Sequence, residues 1–268
     1  MIFGHTNQDM VMTTTPLLED MSPRGVLTLT LSRPDKGNAL DRATLERLAA
    51  ALARAERDQS IRLVVLRGAG KHFCSGGDVS GGISQDNATA SASISGVCAQ
   101  LNNLPKPTVA VLHGACIGGG VALAACCDTV LATPDAFFAI PETRLGFPPA
   151  ELMPFFLAAC GARFLRRHLL AGSRFTSAEA RQCGLVHGVH EADAIGTILA
   201  ETVDAYLHAA PRAVAAAKEL IARLLHETVT TGELHRLHDA FATSAEAQEG
   251  LASFKEKRRP HWYPPSEA

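Results

Sequence analysis

The sequence predicts an α/β fold built of repeated strand-strand-helix units and closed by a C-terminal helical region. Apolar runs of strand length at Ile61–Leu66 and Thr108–Leu112 are the first observation, because each leads toward a glycine turn and then toward sequence of helical character. The second is that TVLAT at 129–133 and AFFAI at 136–140 repeat the strand pair more loosely. Third, from about Pro148 onward the pattern is almost wholly helical. No fixed period marks a regular solenoid array, yet a stack of such turns buries a continuous core between helices and sheets.

Taken in order, residues 1–15 are polar and without periodicity and read as a flexible leader, with order expected from near Leu17. VLTLTL at Val26–Leu31 alternates apolar residues with threonine, the signature of a half-exposed strand, and RPDKGN after it is a turn-rich loop. Asp41 is placed to cap a helix whose Leu45, Leu48, Ala49 and Leu52 form one apolar stripe, ending at Asp58-Gln59-Ser60. The strand Ile61–Leu66 is apolar enough to be central. A weak helix is expected over 87–103, a strand at Thr108–Leu112 and a short helix at Gly118–Cys127. The last stretch, from Ala192 on, is rich in alanine, leucine and paired charges and suits a helical cap or an assembly surface.

At 268 residues, with 47% hydrophobic and 19% charged residues, the chain buries a sizeable core and lacks the composition of a disordered one. A formal net charge of -2 supplies no positive field to gather nucleic acid. No window approaches the roughly 20 apolar residues that span a bilayer, and the N-terminus has no signal-peptide pattern. The expected compartment is the cytoplasm. Seven cysteines, an odd count without the spacing of a secreted scaffold, read as free and mostly buried thiols. With no CxxC pair and no HExxH helix, no metal site is expected.

Two segments carry chemistry. HFCSGGD at 72–78 follows a central strand, and Gly76 and Gly77 can aim an amide N–H outward in conformations other residues avoid. It reads equally as an ordinary strand-ending turn with Asp78 as a helix cap. HGACIGGGVAL at 113–123 runs from a buried strand into a helix, whose first amides are unpaired and carry partial positive charge. Tight helix packing by glycine is the alternative there. The P-loop lysine and the third glycine of a dinucleotide fingerprint are both missing, and no GxSxG elbow is present. His113 reads as a structural hydrogen-bonding group, and Cys74 and Cys116 as non-catalytic thiols.

Five segments in register resemble the crotonase family, the enoyl-CoA hydratases and isomerases: RPDKGNAL at 33–40, HFCSGGD at 72–78, KPTVAVLHGACIGGG at 106–120, PETRLG at 141–146 and FKEKRRP at 254–260. The resemblance covers nearly the whole chain from about residue 17. It implies a crotonase-like spiral core over 16–200, a C-terminal helical trimerisation region over 201–268, and a homotrimer or dimer of trimers. It further implies an acyl-CoA substrate, with coenzyme A as part of the substrate and no separate cofactor.

By the same resemblance, the amides of Gly77 and Gly119 form an oxyanion hole for the thioester oxygen, flanked by Gly76 and Gly118. Such donors stabilise the enolate through which hydration and isomerisation both pass. Hydratases of this kind usually supply two glutamates. The second falls on Glu142, whereas the first position holds Ala122. Lys36, Lys255, Lys257, Arg258 and Arg259 are candidate cations for the phosphates of coenzyme A, although Arg258 and Arg259 read better as a solvated helix end. Phe254 and Lys257 match positions that reach the ligand of a neighbouring subunit. Asp86–Ser95, rich in serine and alanine, is either a mobile lid or a plain loop.

Two lyase or isomerase outcomes are left open by Ala122. A single glutamate resembles the pattern of Δ3,Δ2-enoyl-CoA isomerases. LGFPPAELMPFFLAACG at 145–161 instead resembles the branch that hydrates glutaconyl-type thioesters, methylglutaconyl-CoA and isohexenylglutaconyl-CoA among them. Hydration is the favoured expectation, with thioester hydrolysis and non-catalytic acyl-CoA binding as the remaining alternatives.

Overall fold

The computed structural model describes residues 15–78 and 92–265. The leader, apart from its last residue, and the 86–91 part of the serine-alanine stretch lie outside the described residues. Order begins with β1 (Leu17–Met21), paired antiparallel with β2 (Val26–Leu31) so that Leu17 faces Leu31. In β2 the leucines are buried and the intervening threonines half-exposed, as the alternation predicts. Parallel to β2 run β3 (Leu63–Gly68), β4 (Thr108–Leu112), β6 (Thr129–Ala132) and β9 (Gly188–Val189), giving a sheet in the order β1-β2-β3-β4-β6-β9.

A second sheet has the order β5-β7-β8, with β5 at Ala115–Ile117, β7 at Phe137–Ala139 and β8 at Phe175–Thr176. The chain steps between sheets in tight corners. His113 and Gly114 alone separate β4 from β5, and the amide of Phe137 donates to Gly114 O at 2.9 Å, holding successive corners in register. Cys74 pairs in parallel with Cys116, so the 72–78 segment extends the second sheet at its β5 edge. Strand in one sheet, strand in the other, helix: the expected spiral unit is realised.

Helices α1 (Arg42–Arg57), α2 (Ile94–Asn103), α3 (Gly119–Ala125), α4 (Met153–His168) and α5 (Ser177–Cys183) cover one side. They share the larger core with Leu27, Leu29, Val64, Leu66 and Phe138. On the other face Leu63, Val65, Val109, Val111 and Leu131 pack against Val203 and Leu207 of α6 (Ile195–His208) and against Tyr263. Leu63–Leu66 of β3 are therefore buried on both faces, which is why that run is continuously apolar. Helices α7 (Pro211–His226), α8 (Thr231–Ala242) and α9 (Ala245–Glu256) follow.

Several expectations shift. The helix expected over 87–103 is described only from Ile94, where the Ser93 side chain accepts from the Gly96 amide and sets the first turn. The central strand starts at Leu63, not Ile61, because the Ile61 amide is spent on Asp58 O, closing the preceding turn. The region beyond Pro148 is not wholly helical: β8 and β9 each contribute two residues to a sheet edge, too few for a period to register in the sequence.

The RPDKGN loop is pinned by Asn38, which is buried and holds φ of 58°. Its Oδ1 accepts from the Arg33 amide at 2.9 Å, and its Nδ2 donates to Ala69 O and His72 O at 2.8 and 2.7 Å. Asn38→Ala leaves those groups unpaired and places a less tolerant residue in left-handed backbone, for an expected loss of about 2–4 kcal/mol. Urea unfolding checks it, and a loss below about 0.5 kcal/mol, the scale of an ordinary surface change, would contradict the pinning role.

Candidate active site

The first glycine turn is clamped from both sides. Phe73 and Cys74 donate to His113 O and Ala115 O at 2.9 and 3.0 Å, and the Ile117 amide donates back to Cys74 O at 2.9 Å. On the opposite side the Ser75 amide donates to Gly37 O, the Leu40 amide to Gly76 O, and the Asp78 amide to Leu40 O. Arg33 pairs with Asp78 at 3.0 Å and also donates to Ala39 O, locking loop and turn together. Gly76 takes φ of +99°, the conformation that lets the chain reverse here. Among the described residues, no acceptor stands on the amide of Gly77.

In the second turn Gly118 donates to Ala139 O at 2.8 Å and adopts φ 49°, ψ −112°, outside the ordinary range of L residues. Gly119 is the first residue of α3, and its amide likewise has no acceptor among the described residues. The turns lie against each other. A methyl built on Gly76 would stand 3.9 Å from the Gly119 nitrogen. Ile94 Cδ1 would lie 3.5 Å from a methyl on either Gly77 or Gly119, and Leu40 Cδ1 3.1 Å from one on Gly119. Two unengaged N–H donors thus share one apolar wall, an environment suited to an oxygen that gains negative charge.

Glu142 joins this group. After β7 the chain passes through Ile140 and Pro141 into a short helical turn, Glu142–Leu145. A Cβ on Gly118 would stand 2.6 Å from Glu142 Oε1, so the carboxyl group lies directly against the second glycine turn. Although the residue is half-buried as a whole, its Oε2 is sealed from solvent and has no hydrogen-bond partner among the described residues. Burial raises its pKa above the usual carboxylate range, opposed in part by its own backbone amide. Ala122, on the first turns of α3, is fully buried and apolar.

The other predicted residues separate. Lys36 is exposed and sits near the first turn, because Ser75 Oγ donates to its carbonyl at 3.2 Å. Phe254, 83% exposed, and Lys257, at the left-handed C-terminus of α9, have no hydrogen bond to the glycine turns among the described residues. Arg258 is engaged with Glu249 and Glu256, each at 2.6 Å, in keeping with the helix-end reading. His113 Nε2 lies 2.9 Å from Gly70 O. Burial lifts the Cys74 thiol to about 12 and the Cys116 thiol well above its ordinary value, the wrong direction for a nucleophile. Among the described residues no group of three or more His, Cys, Asp or Glu is placed to hold a metal, and no helix is long and apolar enough to cross a membrane.

Sequence reasoning missed Leu40 and Ile94, which wall the glycine turns from α1's leading loop and from α2. Leu40 closes the RPDKGNAL segment and Ile94 lies within the serine-alanine stretch, but their contacts with the turns arise from tertiary packing.

The family model described as enoyl-CoA hydratase/isomerase matches residues 21–265. The chain belongs to the enoyl-CoA hydratase/isomerase family. Among its relatives, the 2,3-dehydroadipyl-CoA hydratase of Escherichia coli (strain K12) is 30% identical over 239 residues, covering 88% of this chain and 94% of that protein. The carnitinyl-CoA dehydratase of Proteus mirabilis (strain HI4320) is also 30% identical, over 256 residues, with 90% and 97% covered. The crystal structure of Pseudomonas aeruginosa AtuE superposes with a TM-score of 0.86 at 35% identity, covering 92% of this chain and 99% of that one. The expected crotonase-like fold holds, and the chain is an enzyme of this family. Equal identity to relatives named for different acyl groups leaves the acyl group to be argued from the site.

Gly118→Ala tests the contact between turn and carboxyl group. The added methyl collides with Glu142 Oε1 and strains a backbone that favours glycine, so the carboxyl group must move. Turnover is expected to fall about 100-fold, the scale of a misplaced catalytic group, with the far-ultraviolet circular dichroism spectrum kept. Unchanged turnover would contradict the contact's importance.

Proposed function

We propose that the chain is an enoyl-CoA hydratase that adds water to a 2-enoyl-CoA of the glutaconyl type. The observation that carries this reading is the meeting of complementary unmet groups. Among the described residues, two amide donors without acceptors lie beside a buried carboxyl oxygen without a donor. The Gly77 and Gly119 amides bind the thioester oxygen and stabilise the enolate, each worth about 2.7–4 kcal/mol by analogy with measured oxyanion donors. Glu142 takes a proton from water as the oxygen adds to the β carbon, then returns that proton to the α carbon, so water is consumed and the carboxylate regenerated. Gly76 and Gly118 shape the hole, while Lys36 and, from a neighbouring subunit, Phe254 and Lys257 contact coenzyme A. The segment at 145–161 and the relative named for a dehydroadipyl thioester support a dicarboxylic acyl group.

Ala122 favours one other reading, a Δ3,Δ2-enoyl-CoA isomerase in which Glu142 alone moves a proton between two carbons. A panel of 2-enoyl-CoA, 3-enoyl-CoA and glutaconyl-type thioesters separates them. Hydration without double-bond migration is expected, and migration without hydration would replace the proposal with the isomerase.

Glu142→Gln is expected to lower kcat at least about 100-fold. In the wild type kcat should rise with pH through a pKa above the ordinary carboxylate value, because the protonated acid cannot accept a proton. Stability runs the other way: a raised folded-state pKa contributes stability present at low pH and lost as pH rises through that pKa. The glutamine variant should therefore melt higher than wild type at pH 8, with the gap narrowing toward the ordinary carboxylate pKa. Unchanged turnover with an unchanged pH profile would remove Glu142 as the base.

The C-terminal region over 201–268 serves as the trimerisation surface in this proposal. Ile221, Leu224 and Leu225 on α7 and Leu251 and Phe254 on α9 are all more than half exposed, a concentration of apolar side chains that suits burial by another copy. Light scattering should give three or six times the 28.3 kDa chain mass; a monomer at micromolar concentration would contradict it.

A further inference from the structure

A cavity of about 220 Å³ lies at the opposite pole of the main sheet from the glycine turns. Its walls include Arg62, Lys106, Arg212, Tyr206 and Glu56. Arg62 lies one residue before the start of β3 and Lys106 two residues before the start of β4, whereas the glycine turns follow the ends of those same strands. At about 3.3 Å per residue, the strands separate the two places by roughly 15–20 Å. The cavity is therefore no part of the site already described.

Its cations are incompletely matched. Arg62 is half-buried and donates to Trp262 O and, at 3.5 Å, to Ala209 O, so its recorded partners are carbonyl oxygens. Lys106, also half-buried, donates to Asp58 O. Among the described residues, neither they nor Arg212 stands within ion-pair distance of a carboxylate. The acids nearby are already engaged: Asp58 accepts from Ser60, and Glu246 accepts from the amides of Arg212 and Ala213 at the start of α7. Burial depresses the pKa of both Arg62 and Lys106, relieved only in part by Glu246 for Arg62 and by Asp58 for Lys106, whose pKa Arg62 lowers further. Glu56 is exposed at the rim.

We propose that this cavity is a second ligand site, for a small phosphate-bearing molecule held by Arg62, Lys106 and Arg212. The guanidinium has five donors, and its recorded bonds leave some of them for a phosphate oxygen. The volume equals about seven waters at ~30 Å³ each, room for a phosphate and a small organic group. Ile61, Val214 and Ala215 supply an apolar wall for that group. Occupancy would tie the starts of β3 and β4 to the start of α7, and so the sheet to the C-terminal helices.

Inorganic phosphate and glycerol phosphate, titrated at constant ionic strength and read by the thermal midpoint, test the site. The midpoint should rise saturably with either, not with chloride, and the rise should persist when coenzyme A is saturating. A tighter response to glycerol phosphate assigns the ester as the natural class, and a tighter response to phosphate assigns the free ion. The K106Q/R212Q double variant should bind about tenfold more weakly. R212Q alone, altered only at an exposed side chain, should bind measurably more weakly and covers the case in which the double variant fails to fold. No rise, an equal rise in R212Q, or a rise abolished by coenzyme A would each overturn the proposal.

Discussion

Two backbone donors that meet no acceptor among the described residues are the constraint around which this chain is arranged. An amide shut away from partners costs about 1–3 kcal/mol, and a polypeptide left to itself closes such groups into helix or sheet. Here Gly118 and the residues on either side of Gly77 are committed to other partners. The residues on either side of Gly77 are bonded to Leu40, just beyond the RPDKGN loop, and Gly118 is bonded to β7. Asn38 and the Arg33–Asp78 pair hold that loop in place. Those contacts are structural in themselves, and their consequence is chemical.

Glu142 is the second unmet group, and it depends on the first. Its carboxyl group rests against Gly118 only because the spiral brings the end of β7 alongside the corner after β5. Burial raises its pKa and so disfavours its charge. The cost is sustained by a core with Leu63–Leu66 of β3 buried on both faces and helices on each side. Position 122, which is buried and filled by a methyl group, gives Glu142 no acidic partner from α3. In the proposed mechanism the hole and the base are thus separable in sequence, the one recognising the substrate and the other processing it.

Much of this was legible in the residues. The alternation of VLTLTL, the continuous apolar run of β3 and the capping by Asp41, whose side chain accepts from the Thr44 amide at 2.8 Å, all appear as read. The glycine turns were visible as punctuation after strands, and only the resemblance over five segments distinguished a ligand-facing turn from an ordinary corner. What escaped was non-local. Two-residue strands such as β8 and β9 exist because a partner edge is waiting, and Ile94 and Leu40 acquire their place from packing between distant helices and loops. The burial of Glu142 Oε2 likewise comes from the fold around it, since PETRLG after an apolar strand reads equally as a buried or an exposed turn.

Isotope-edited Raman spectroscopy of a bound enoyl-CoA labelled at the thioester carbonyl tests the central claim most directly. If the Gly77 and Gly119 amides meet that oxygen, its stretching frequency falls below the value in water, and a Gly119→Pro variant that still binds the thioester loses part of the shift. A bound carbonyl with the frequency it has in water, or a shift unaffected by removing the Gly119 amide, would contradict the account.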